Sequence, residues 1–122
     1  MLLMPQRRIL VVEDELAVGL HLQDILRRLG FTVLGPVARL DQALRVARTE
    51  SIDAALLDIN LSRGDLSYPA ARVLAERGIP FAFVTAYYRS ALDEEFAGHA
   101  VIAKPFASSD VEGCVRALLA AA

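Results

Sequence analysis

Four short, wholly apolar runs, at residues 9–12, 54–57, 81–84 and 100–103, constrain this chain more than any other feature. Runs of this length with no polar face are the pattern of strands buried on both sides, as in a parallel sheet covered by helices. A fifth run, residues 31–34, lacks a clean polar ending and suits an outer strand. Between the runs the period changes. Val18, Leu22, Ile25, Leu26 and Leu29 form one helical stripe ended by Gly30, and Leu40, Ala43, Leu44 and Ala47 form a second. A third helix is expected to begin near Ser67, Tyr68 and Pro69 and to stop at Gly78. A weaker fourth covers about residues 89–97, and Ser108 or Ser109 is expected to cap a last helix that runs to the C-terminus. Five βα units result, with no internal linker or repeat. Right-handed crossovers turn such a chain into a five-stranded parallel sheet with helices on both faces, for which the flavodoxin-like order 2-1-3-4-5 is expected.

The 122 residues suit one domain, and 55% apolar content is enough for one continuous core. No apolar stretch approaches the length of a membrane helix, so a soluble, cytoplasmic protein is expected. The net charge of −2 and scattered Lys and Arg give no basic stripe, which argues against a nucleic-acid partner. Cys114 is the only cysteine and shares a helical face with Val111, Val115, Leu118 and Leu119, as a buried structural thiol would.

Ligands of open α/β sheets bind beyond the carboxyl ends of the strands, so the residue after each apolar run carries the information. Glu13 and Asp14 follow the first run, Asp58 the run at 54–57, Thr85 the run at 81–84, and Lys104 the last. Any one of them alone is an ordinary strand-end residue meeting water. Together they bring three carboxylates, a hydroxyl and an ammonium to one edge. Crowded carboxylates repel unless a cation intervenes, and hard divalent ions prefer oxygen ligands. Magnesium, which takes one or two carboxylates plus phosphate oxygens and keeps several waters, suits a small open cluster. An aspartate can attack phosphorus to form an aspartyl phosphate where charge on the transferred group is neutralised. Asp58, on the expected central strand, is the candidate nucleophile. Lys104 would then act as a point charge, and Thr85 would donate to a phosphoryl oxygen.

Other chemistries find less support. His21 and His99 stand in no nucleophile signature and read as structural. Neither GxxxxGK[ST] nor GxGxxG occurs, so the phosphoryl donor must come from elsewhere.

These residues resemble the receiver domain of two-component response regulators over the whole length after about Arg7, with residues 1–6 as an N-terminal extension. ILVVEDE resembles the first strand with its acidic pair, LLDINL the phosphoacceptor strand, FVTAY the strand with the switch hydroxyl, and AKPF the lysine-proline signature. The spacings agree: 44 residues from Asp14 to Asp58, 27 from there to Thr85, and 19 more to Lys104. The resemblance implies a phosphoprotein of a phosphorelay. In it Glu13 and Asp14 hold magnesium, directly or through water, and Asn60 adds its backbone carbonyl. Asp58 is phosphorylated by a sensor histidine kinase or histidine phosphotransferase, Thr85 and Lys104 contact the phosphoryl group, and the Lys104-Pro105 bond is cis. Such domains are regulators rather than enzymes, and this one is expected to signal by binding a downstream protein.

A narrower likeness is to single-domain receivers of alphaproteobacteria with a PFxFxTGY fourth strand, associated with stress-response phosphorelays; here Ala86 replaces the glycine. Many receivers also carry an aromatic residue three positions before the lysine, where this chain has Val101. Either one of Tyr87 and Tyr88, just after Thr85, takes over its part in the readout, or both only pack over the sheet edge; the sequence leaves the two readings open. One alternative is a magnesium-dependent phosphatase with an aspartyl nucleophile, as in the haloacid dehalogenase superfamily. That family, however, resembles DxDxT at its first strand, whereas here Asp58 lies mid-chain and Asn60 stands two residues on. A receiver-shaped interaction module that is never phosphorylated is another. The initial Met1 and the short alanine tail suit a complete protein, the alternative being a receiver cut from a hybrid kinase or a larger regulator.

Overall fold

The computed structural model describes residues 6–86 and 92–121. Its elements are β1 (Arg8–Val12), α1 (Leu16–Arg28), β2 (Thr32–Val37), α2 (Leu40–Thr49), β3 (Ala54–Leu57), α3 (Tyr68–Glu76), β4 (Phe81–Thr85), β5 (Val101–Ala103) and α4 (Ser108–Ala121). The strands form one sheet in the order β2-β1-β3-β4-β5, every pair parallel, as expected.

Successive side chains of a strand point to opposite faces, and here both faces are covered. Leu10, Val12, Ala55, Leu57, Phe81 and Phe83 point into one core layer, filled from α2 by Ala43 and Ala47 and from α3 by Ala71 and Leu74. Ile9, Val11, Ala54, Leu56, Ala82 and Val84 point into the other, filled from α1 by Leu22 and Leu26 and from α4 by Val111 and Val115. That double burial is why the strand runs carry no polar residue.

Three details differ from the sequence expectations. Strand β2 continues through Gly35 and Pro36 to Val37, with a shift in its pairing between Leu10 and Val12. Proline is tolerated because β2 is an edge strand. Gly35 has φ of 101°, and a Cβ there would stand 2.5 Å from the Val11 carbonyl oxygen, so the close approach to β1 needs glycine. The helix expected over about 89–97 is, in its described part, a single 3-10 turn at Glu94–Phe96. Just before that turn the Asp93 N–H donates to Tyr68 Oη at 3.0 Å. Finally, α4 starts at Ser108, so neither serine is its cap; the Asp110 carboxylate instead accepts from the Ala107 N–H at 2.8 Å.

Candidate functional site

The site residues are held by the sheet's own ladder, extended one position past the strand ends. Glu13 N–H donates to the Val37 carbonyl at 2.9 Å, Asp58 N–H to Val12 at 2.8 Å, and Lys104 N–H to Thr85 at 2.9 Å. These side chains therefore leave a rigid edge rather than a free loop, which suits a site that must hold its geometry.

Glu13, Asp58 and Thr85 are buried, at 2%, 7% and 1% exposure, and Asp14 is half-buried. Glu13, Asp14 and Asp58 each offer one carboxylate oxygen, with all three oxygens within 4.8 Å of one another. Lys104 reaches into this cluster from β5. Its Nζ lies 2.7 Å from Glu13 Oε1, 3.3 Å from Asp58 Oδ2 and 3.5 Å from Glu15 Oε1. The hydrogen bond goes to Asp58. Glu13 Oε1 is therefore close to the ammonium as a charge but has no donor aligned on it.

The electrostatics follow from that crowding. Burial, and then the neighbouring Asp58 carboxylate, push the Glu13 carboxyl up to about 7 against the opposing pull of Lys104. Burial pulls the Lys104 ammonium down, but the Glu13 and Asp58 carboxylates outweigh it and raise its pKa above the ordinary lysine value. Three carboxylate oxygens within 4.8 Å of one another, faced by a single ammonium, are a donor set that a hard divalent cation fits.

The edge expected from sequence thus brings Glu13, Asp14, Asp58 and Lys104 together, with Thr85 at the end of the intervening strand. Asn60 lies two residues past Asp58 in an exposed loop, bridged to Leu66. The Lys104-Pro105 bond is cis. Glu15 was missed as a partner of Lys104; the EDE run, with acids two apart, was its signal. His21 stacks on Phe106 at 5.3 Å, and His99 stacks on Phe81 with Nε2 2.8 Å from the Phe81 carbonyl oxygen. Cys114 is half-buried rather than buried, packed at the margin of the α1/α4 layer. Tyr87 and Tyr88 lie outside the described residues. Val101 packs against the layer that contains Tyr68, Phe83 and Phe96, so that face is filled by rings from α3, β4 and the 94–96 turn.

No protein-family model matches the chain. Its similarity to individual proteins is nonetheless extensive. It is 39% identical to SdrG from Sphingomonas melonis Fr1, covering 93% of this chain and 97% of that one, with a TM-score of 0.83. It is 28% identical to the receiver domain of the sensor histidine kinase PA1611 from Pseudomonas aeruginosa PAO1, over 95% and 99% of the two chains, with a TM-score of 0.79; that structure has a magnesium ion coordinated in its active-site cleft. It is also 28% identical over 108 residues to the transcriptional regulatory protein PdtaR from Mycobacterium tuberculosis, which is 86% of this chain and 53% of PdtaR. The chain spans about half the length of the curated relatives it matches first. No helix among the described residues is long and apolar enough to cross a membrane. With the 2-1-3-4-5 sheet, the acidic cluster facing Lys104 and near-complete coverage of relatives of this kind, the chain belongs to the response-regulator receiver family.

Proposed function

We propose that this chain is a phospho-accepting signalling domain in which Asp58 takes a phosphoryl group from the phosphohistidine of a sensor kinase or histidine phosphotransferase. The observation that carries this reading is the Asp58 carboxylate, buried at a strand end, inside a three-carboxylate cluster and 3.3 Å from Lys104 Nζ. A carboxylate oxygen of Asp58 attacks phosphorus as the phosphorus–nitrogen bond breaks. The bonding pair stays with the imidazole, which takes up a proton from solvent. Lys104 places a positive charge beside the transferred group, and the Thr85 hydroxyl donates to one of its oxygens. Glu13, Asp14 and Asp58, with the Asn60 carbonyl, would hold magnesium, which neutralises charge on the phosphoryl oxygens.

The downstream partner in this reading is a protein, since the net charge of −2 gives no footprint for nucleic acid. The reading as a single-domain receiver is supported by the extent of the match to SdrG, 97% of which this chain covers. To test the reading, the protein is incubated with acetyl phosphate with and without magnesium, then weighed intact. One acid-stable, base-labile phosphoryl group per chain, formed only with the metal and absent in Asp58→Asn, supports it. Full labelling of Asp58→Asn contradicts it.

A further inference from the structure

Tyr68 and Arg72 lie four residues apart on one face of α3, and both bind the short segment between β4 and β5. The Asp93 N–H donates to Tyr68 Oη at 3.0 Å, and the Tyr68 ring stacks on Phe96 at 5.2 Å with 19° between planes. Arg72 Nε donates to both carboxylate oxygens of Glu95, at 2.9 and 3.1 Å. Arg72 and Glu95 are about half exposed, so their ion pair contributes little. Tyr68 is buried at 6% and is the stronger attachment.

The other end of this arrangement reaches the phosphoacceptor. Ile59, directly after Asp58, accepts at its carbonyl from the Ser67 N–H at 2.8 Å, and Ser67 directly precedes Tyr68. The loop between is closed on itself: Leu61 N–H donates to Asp65, and Asn60 bridges Leu66. A second route runs through the sheet, since the Phe83 ring, two residues before Thr85, meets Tyr68 edge-on at 5.7 Å. Tyr68 therefore stands one hydrogen bond from the chain at Asp58 and one hydrogen bond from the chain at Asp93.

We propose that Tyr68 is a coupling residue: with Asp58 unmodified it latches residues 92–97 onto α3, and phosphorylation of Asp58 opens the latch and changes the surface that segment presents. The inference rests on Asp58 being the phosphoacceptor. It gives the ring on α3 a part in signal readout, at a core face where β5 supplies only Val101. Coupling of this kind requires that the two states differ in contact energy, and the Asp93-to-Tyr68 hydrogen bond is the contact that differs.

The test is hydrogen exchange of the Asp93 amide, followed by NMR in the full chain, with magnesium alone and with magnesium plus beryllofluoride, which mimics an aspartyl phosphate. In the wild type the amide is expected to be protected with magnesium alone and to exchange at least about tenfold faster with beryllofluoride. Tyr68→Phe keeps the ring and removes the oxygen, so it should exchange fast in both conditions while still accepting phosphate at Asp58. Unchanged Asp93 exchange in wild type that binds beryllofluoride, or a wild-type response in Tyr68→Phe, overturns the latch alone. Failure of Asp58 to take either phosphate or its mimic overturns the functional reading, and the latch with it.

Discussion

Lys104 Nζ lies 2.7 Å from Glu13 Oε1, although these residues end strands separated in the sheet by β3 and β4. The lysine thus spans the whole width of the site and, in the absence of a metal, serves as counter-ion to the carboxylates. It does so incompletely. One ammonium faces Glu13, Asp58 and Glu15, and the Glu13 carboxyl remains pushed up to about 7.

That shift makes the metal-free protein sensitive to pH. A carboxyl whose pKa rises on folding binds more protons folded than unfolded between its two values, so stability is lost as pH rises through that window. For Glu13 the window runs from 4.5 to about 7. In EDTA the urea midpoint should be higher at about pH 5 than at about pH 8, and Glu13→Gln should shrink the difference. An equal midpoint at both values would contradict the assigned shift.

Removing one of the crowded acids should separate metal binding from stability. Asp14→Ala is expected to weaken magnesium affinity by at least about tenfold while leaving the metal-free protein as stable as wild type, or more stable, because like charges are relieved. Titration calorimetry and a thermal melt in EDTA check the two halves. Unchanged magnesium affinity would remove Asp14 from the site.

Gly19 tests the packing of α1 on the edge strand. In an open helix, glycine to alanine stabilises by up to about 1 kcal/mol. Here an added Cβ would stand 2.8 Å from both Cβ and Cγ of Pro36, a ring that cannot swing aside. Gly19→Ala should therefore destabilise by roughly 1–3 kcal/mol, read as a lower urea midpoint with an unchanged slope. A stabilised variant would contradict the close contact of α1 with Pro36.

The site was legible because its residues sit at strand ends, and an apolar run followed by one polar residue is visible without a structure. Asp58, Thr85 and Lys104 were singled out as candidates that way; βα alternation pointed to a parallel sheet without fixing its order, and the flavodoxin-like 2-1-3-4-5 arrangement chosen among the possible ones is the one observed. What escaped depends on contacts between residues distant in sequence. The apolar run stops at Leu34, but the edge position lets β2 continue through Gly35 and Pro36 to Val37. The helix expected near 89–97 gives way, where described, to a 3-10 turn whose Asp93 N–H is bound by Tyr68. Tyr68 itself read only as the start of a helix, since nothing in the chain marks its hydroxyl for a residue 25 positions away.

Reductive trapping tests most directly whether Asp58 is the nucleophile. Borohydride converts an aspartyl phosphate to homoserine and leaves unmodified aspartate untouched. After treatment with acetyl phosphate and magnesium, peptide mapping by mass spectrometry should find homoserine at position 58 and nowhere else, and none when EDTA replaces the metal. Homoserine at position 14, or an unreduced Asp58 in protein that carries phosphate, would contradict the account.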